Sequence, residues 1–532
     1  FKSLKKKLSH KFRTHSDTEL ILHYYSIYKE KCFKYFEGMW SIIIYDKKKN
    51  KIIISRDRCG EKPLFFYRKN NEIIFASELR YINEILDTKL NFNHAKINRF
   101  LHYGYKSLFK DDETFFEEVK HFEKNKIAII DKNLNFSFKS YWSIKDHKKK
   151  QNYSLKEHIN NTKDLLVRSV GLRMVADTPI ALSLSGGIDS GAICSIASKV
   201  YGKKLESFSI IDTDIRYNES SSIDTTAKDC GIKNHKINIS DHRDFLSILD
   251  KSIDQTHYPI TTITDLILYQ LTSKIKEYGY KVCLSGSGGD ELFAGYYDHY
   301  LMLFSELRKR NSPKLKKFIN IWSKNIKPHI RNRFYKKHNL FFKNPNFRGY
   351  VYDNYKENKK FCLNQISYQF NEKKIFHNLL KNRMANELLH ENVPIFTHRE
   401  DLCYMNSSVE NRLPFLDSNL IKYSFNNIQG SQFLENCQNK FILRESLKGI
   451  LNEKVRNQKV KSGFNASIFT LFNFKEKKLL NFCKNKSEIY DFVDKEKILF
   501  LIQNPQKLNQ NQNAKFMFTF LSLKMFMDKF NK

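Results

Sequence analysis

Two kinds of hydrophobic pattern divide this chain. Between Ser41 and Ser77 short β-branched or aromatic runs, SIIIYD, KIIISRD, LFFY and EIIFAS, are separated by charged turns at 47–50 and 68–71. Such runs with polar breaks predict antiparallel hairpins. Helical spacing flanks them at 19–28 and 78–86, and a long amphipathic helix is predicted over 154–175. From there the periods interleave, with strands at 180–184, 205–210, 235–239 and 281–286 and helices at 188–200, 220–230, 243–255 and 263–278. Such alternation predicts a parallel, doubly wound sheet with ligands in the crevice beyond the carboxyl ends of its strands, so the loops after Leu184, Ile210 and Leu284 should converge. The segment 301–382 shows no sustained period and reads as irregular. The polar, basic stretch KDHKKKQN over 145–152 reads as a linker between units 1–144 and 153–532.

Composition sharpens the class. The 532 residues are 41% hydrophobic and 14% aromatic, enough for packed cores. No run of eighteen apolar residues and no signal-peptide pattern occurs, so no membrane association is expected and the cytoplasm is the expected location. Nine cysteines are scattered without a C-x-x-C pair, which signals neither a disulfide framework nor a zinc site. A net charge of +35 raises nucleic acid as a partner. The lysines are spread along the whole chain, however, and accompany an excess of Asn, Ile, Phe and Tyr, as an AT-rich coding sequence also produces. No nucleic acid is therefore expected, the partners are small-molecule substrates, and association into a homodimer is left open.

The chemistry is concentrated in PIALSLSGGIDS, 179–190. An apolar strand ends at Leu184 and a helix begins after Gly187, so Ser185, Gly186, Gly187 and Ser190 form a strand-to-helix turn whose backbone N–H groups and hydroxyls suit an anion. The spacing is not that of the common ATP-binding loop, since no lysine follows the glycines. Asp189 instead places a carboxylate in the turn. A carboxylate beside a phosphate implies a bridging cation, here Mg²⁺ held between Asp189 and a pyrophosphate. The stretch SGSGGDELFAGY, 285–296, repeats this logic: Ser285, Gly286, Gly288 and Gly289 expose backbone donors, and Asp290 and Glu291 open the next helix. Asp189 and Asp290 would be two metal-binding carboxylates from two strand ends.

SGGIDS resembles the pyrophosphate loop of the ATP pyrophosphatases, which cleave ATP between its α and β phosphates to adenylate a substrate. THSDTELILHYY (14–25), FEGMWSIIIYD (36–46), SRDRCGEKPLFFY (55–67) and FASEL (75–79) resemble the second half of a class II glutamine amidotransferase domain. With MNSSVENRLPFLD (405–417) and KVKSGF (459–464), the whole set resembles asparagine synthetase and its amidating relatives. The resemblance implies an α/β chain: an incomplete Ntn-hydrolase α-β-β-α sandwich, then a doubly wound ATP-pyrophosphatase domain with a helical C-terminal part. It further implies an ATP site at Leu184, Ser185, Gly186, Gly187, Asp189, Ser190, Ile210, Ser285 and Gly286, and a transition-state cation at Lys461. Asp17 falls where that family holds the glutamine amino group; from the residues alone it reads equally as a plain helix cap.

Departures are visible. The family's N-terminal nucleophilic cysteine and its Asn-Gly-Glu segment do not precede Phe1. The chain is therefore read as a fragment, with a naturally glutaminase-dead variant as the alternative. Ser287 stands where an acid, or in some relatives a tyrosine, partners the lysine; Lys459 replaces an arginine and Gly191 a serine. The expected activity is ATP-dependent amidation of aspartate through an acyl-adenylate. The alternatives are a uronic acid or other surface-glycan precursor as acceptor, an RNA-modifying pyrophosphate-loop enzyme, and a non-catalytic remnant.

Overall fold

The structure is a computed structural model, which describes the chain apart from residues 1, 9, 87, 146–151, 213, 215–216, 240–243, 353–354, 459–467, 475, 510 and 532. Residues 146–151 of the stretch read as a linker, and the motif containing Lys461, thus lie outside the described residues.

Before the linker, β1 (Ser41–Asp46), β2 (Lys51–Arg56), β3 (Phe65–Lys69), β4 (Glu72–Ala76), β5 (Val119–His121), β6 (Lys126–Ile130) and β7 (Phe136–Ser140) form two antiparallel sheets, ordered β1-β2-β6-β7 and β4-β3-β5. The period of two assigns their faces. Ile53 and Ile127 pack with Leu20 and Tyr24 of the helix Asp17–Tyr28. Their neighbours Ile54 and Ala128 turn the other way, onto Leu64, Phe122 and Phe66 of the second sheet. Phe65 and Tyr67 face outward again, onto Leu79, Ile82, Ile97 and Phe100 of the helices Leu79–Ile85 and His94–Tyr103. The layers run helix, sheet, sheet, helix, as the resemblance implies. Strands β5 to β7 carry no readable signal, because each is short and is defined only by its register, β5 against β3, β6 against β2 and β7 against β6.

Beyond the linker the helix Leu155–Arg173 opens with a capping box, Ser154 and Glu157 each bonding the other's backbone N–H. β8 (Ile180–Ser183), β9 (Glu206–Ile211), β10 (Asn234–Asn238), β11 (Val282–Leu284) and β12 (Glu410–Arg412) then form one parallel sheet ordered β10-β9-β8-β11-β12. The chain adds strands to one side of β8, then returns to add β11 and β12 on the other. The order therefore reverses between β8 and β11, and a doubly wound sheet opens its ligand crevice at that point. β12, three residues inside the 405–417 motif, carries no period long enough to read. The expectation of irregularity over 301–382 is corrected at its start: Tyr297–Lys309, Lys314–Asn325 and His338–Lys343 are helices. Their apolar faces, with Phe304, Trp322 and Phe341 buried, are diluted in the sequence by lysine and asparagine. Helices dominate the C-terminal part, and the last, Asn511–Phe530, shares one apolar cluster with Phe100 and Phe208, so a common core joins both halves. No helix among the described residues is long and apolar enough to cross a membrane.

Candidate active site

The two glycine loops leave the carboxyl ends of β8 and β11 side by side. A Cβ at Gly286 would lie 2.8 Å from the backbone nitrogen of Ser190, and one at Gly289 would lie 2.5 Å from Cγ of Asp189. Only glycine lets the second loop approach the first so closely. Gly288 adds a backbone φ of +98°, which turns the chain into the helix Gly289–Phe293.

The first loop is held by its own hydroxyls. Ser185 N–H donates to Ser190 Oγ at 3.1 Å, the two hydroxyls meet at 2.9 Å, and Ser190 Oγ also lies 3.1 Å from the carbonyl of Ser185. These hydroxyls, expected as ligand donors, are turned onto the loop and fix its shape. The N–H of Gly186 donates to Glu219 Oε2 at 3.0 Å. A carboxylate oxygen already sits on a loop donor, the chemistry required of an anion cradle at a helix start. Gly191, on the following helix, faces Leu451, with room for a Cβ only at 3.1 Å.

Asp189 and Asp290 converge as expected, but onto a residue that sequence reasoning missed. Lys440 Nζ lies 2.5 Å from Asp189 Oδ2 and 2.6 Å from Asp290 Oδ1. Burial alone would lower this ammonium, but the two carboxylates outweigh it and hold the group above its ordinary value, so it is charged at neutral pH. Lys440 has a left-handed backbone (φ 55°) just before the helix Phe441–Ser446, a conformation that costs a residue with a Cβ roughly 1–2 kcal/mol. Arg444 braces the turn by donating to the carbonyl and side chain of Asn439 at 2.7 and 3.0 Å. No periodic or motif signal marks Lys440 as one cation among 92.

Ser287 Oγ donates to Glu400 Oε1 at 2.6 Å, and Asn411 Nδ2 donates to Glu400 Oε2 at 2.9 Å. Burial pushes the Glu400 carboxyl above its ordinary range, against the hydrogen bonds from Ser287 and Asn411. Glu291, next to Asp290, is pushed up to about 7 by burial and then by the charge of Asp290, while Tyr296 donates to it at 2.5 Å.

These groups line one cavity of about 860 Å³, bounded by 183–190, Ile210, 285–288, Asp290, Glu400 and Lys440. Of the site residues read from the sequence, Leu184, Ser185, Gly186, Gly187, Asp189, Ser190, Ile210, Ser285, Gly286, Ser287 and Asp290 are brought together here. Lys461 lies outside the described residues. Asp17 is elsewhere, exposed in the first turn of its helix; it is not the cap, since the extended residue is Ser16, whose hydroxyl accepts the N–H of Thr18. Asp189 and Asp290 present carboxylate oxygens on either side of the Lys440 ammonium, a donor set that fits Mg²⁺.

Known proteins place the chain. A glutamine amidotransferase domain matches residues 1–142, and asparagine synthase matches residues 161–528. Asparagine synthetase (glutamine-hydrolyzing) 1 of Bacillus subtilis is 25% identical over 519 residues, 93% of this chain and 78% of that protein. Asparagine synthetase (glutamine-hydrolyzing) 3 of the same organism is 24% identical over 469 residues, 85% of this chain and 71% of that protein. A Methanocaldococcus jannaschii protein provisionally named asparagine synthetase (glutamine-hydrolyzing) 2 is 33% identical over 303 residues, 56% of this chain and 57% of that protein, so the aligned part spans little more than half of that relative. The asparagine synthase match alone takes in well over half of the residues, and the chain belongs to the asparagine synthase family of carbon–nitrogen ligases.

Proposed function

We propose that this chain activates a carboxylate with ATP to an acyl-adenylate, releasing pyrophosphate, and that ammonia then displaces AMP to leave an amide. The observation that carries this reading is the convergence of Asp189, Asp290 and Lys440 where two glycine loops meet at the switch point of the sheet. A carboxylate at neutral pH has no leaving group, so amidation requires activation. In this reading the backbone donors of 185–187 and 285–286 hold the phosphates, and the ends of β8 and β9 at Leu184 and Ile210 hold the nucleoside. Asp189 and Asp290 would hold Mg²⁺, which neutralises phosphate charge when bound. Lys440 supplies a fixed positive charge at the same point, where negative charge grows during adenylation.

Aspartate is the first acceptor to test. One observation favours a larger carboxylate as the second. Tyr103 lines the cleft and also a neighbouring cavity of about 860 Å³, whose wall carries Tyr352, Tyr355 and Tyr368, with Arg348 there paired to Glu372 at 2.6 Å. The aromatic faces suit a sugar ring and hence a uronic acid. The test incubates the chain with MgATP, ammonium chloride and either L-aspartate or D-glucuronate, and measures pyrophosphate, AMP and amide. Equimolar products with aspartate support the first acceptor, and amide from glucuronate alone replaces it with the second. Absence of carboxylate-dependent pyrophosphate with both removes the reading.

A further inference from the structure

The loop position at which the family resemblance expects an acid carries Ser287, whose hydroxyl is 2.6 Å from a carboxylate contributed by a distant helix. Glu400 lies 113 residues on, in the helix Asn392–Asn406, and both residues line the cleft that holds Asp189 and Asp290. The adjacent guanidinium, Arg399, is spent on Asp265 at 2.6 Å, and among the described residues Glu400 forms no ion pair. Its two oxygens are instead met by two neutral donors, Ser287 and Asn411, while the Arg399 charge acts on it only from a distance. A buried carboxylate whose direct contacts are neutral is costly to keep, and apolar replacement would serve packing better. A charge presented to the cleft accounts for that cost.

We infer that Glu400 is a positioning residue that supplies, through the hydroxyl of Ser287, the negative charge that position 287 itself lacks. Because the Ser287 proton is committed to Glu400 Oε1, the serine oxygen has its lone pairs left for the cleft and acts there as an acceptor. The carboxylate behind it polarises the hydroxyl and strengthens that acceptor. The acid has in effect moved from loop to helix, with the serine as its contact. This rests on the carboxylate-activating reading above. An acid placed at position 287 should therefore not speed the reaction, because Ser287→Glu would set two carboxylates against each other at hydrogen-bond range.

The test is carboxylate-dependent pyrophosphate release by the whole chain with MgATP and ammonium chloride, using whichever of L-aspartate and D-glucuronate the wild type accepts. Glu400→Gln should lower kcat by about 10²-fold or more, in the range typical of lost charge assistance, with KM for ATP within about threefold. Ser287→Ala should lose as much, and Ser287→Glu alone should also be slow. The double variant Ser287→Glu/Glu400→Gln, which relocates the acid to the loop, should return to within about tenfold of wild type, whereas two independent structural defects would add. An unchanged rate in Glu400→Gln and Ser287→Ala overturns the inference while leaving the proposed function standing. So does a double variant no faster than Glu400→Gln at equal melting temperature. A wild type inactive with both carboxylates overturns both.

Discussion

The two glycine loops look alike in sequence and are stabilised in opposite ways. The loop after β8 is closed by local hydrogen bonds between Ser185 and Ser190, five residues apart. The loop after β11 is completed from afar: Asp290 by Lys440, Ser287 by Glu400, and Gly295 by the space it leaves for Asp290 Oδ1, which a Cβ would meet at 1.8 Å. The first loop is therefore shaped mainly by its own hydroxyls, although Glu219 and Lys440 also reach its Gly186 N–H and Asp189, and the second is a junction at which the helix Asn392–Asn406 and the turn before Phe441 deliver charge to the sheet. A local motif can specify phosphate geometry, because backbone donors do that work. Placing a charge against a reacting group takes side chains from other elements, and those contacts are set by packing.

The largest effect should therefore follow loss of the delivered cation. Lys440→Met leaves Asp189 and Asp290 facing each other without their buried partner, and breaking such a pair typically costs about 3–5 kcal/mol. Denaturant unfolding should show that loss, and pyrophosphate release should fall by about 10³-fold or more, as for lost electrostatic stabilisation of developing charge. Added Mg²⁺ should raise the melting temperature of the variant more than that of wild type, because a cation that binds only the folded state stabilises by mass action. Equal shifts would mean that the two carboxylates do not share a cation site.

Next in size is the contact between the loops. Gly286→Ala drives a Cβ against the backbone nitrogen of Ser190, which cannot rotate away, and overpacking of this kind costs about 1–3 kcal/mol. Gly187→Ala meets only the rotatable hydroxyl of Ser185 at 3.3 Å and should be tolerated far better. Pyrophosphate release should fall sharply in the first variant and little in the second. The reverse order would show that the loops do not have to touch.

The helix that follows the second loop is braced by a buried charge cluster that gives a pH-dependent measurement. Asp298 accepts from Arg383 at 3.0 Å and from Tyr350 at 2.9 Å. Burial pushes its carboxyl up, but His299 and Arg383 outweigh it and hold the group at about 2. A folded-state value below the ordinary one means stability that is present above about pH 4 and lost as pH falls through about 2, worth up to about 2 kcal/mol for a shift of this size. Asp298→Asn should be less stable than wild type at pH 7 by about that amount, and the difference should close toward pH 2. A constant difference across the range would assign the loss to packing.

Legibility in the sequence follows the same division. The sandwich and the parallel sheet were readable because the apolar runs at Ile52–Ile54 and 180–184 are bounded by turns, and the layers they predict are those observed. The first loop was readable as a strand-to-helix turn, but not the inward turn of its Ser185 and Ser190 hydroxyls. β12 was not, because three residues show no period, and Lys440 and Glu400 were not, because each acts across more than a hundred residues: 251 from Asp189 and 113 from Ser287. Asp17 shows the converse. A helix-start position was legible, but capping falls to the extended Ser16 before it.

The smallest effect is expected inside the first loop, and it measures how self-contained that loop is. Ser190→Ala removes the acceptor of Ser185 N–H and the contact between the two hydroxyls, while the helix start and both carboxylates stay in place. A neutral hydrogen bond contributes about 1 kcal/mol net, so unfolding free energy should drop by roughly that amount. The backbone donors of 185–187 would be less well aimed, which should raise KM for ATP several-fold and leave kcat nearly unchanged, because the groups that face developing charge, Asp189, Asp290 and Lys440, keep their places. Steady-state kinetics of pyrophosphate release separates the two parameters. Should Ser190→Ala lower kcat as far as Lys440→Met does, the first loop takes part in the transition state directly, and the division between a cradle and a charge junction fails.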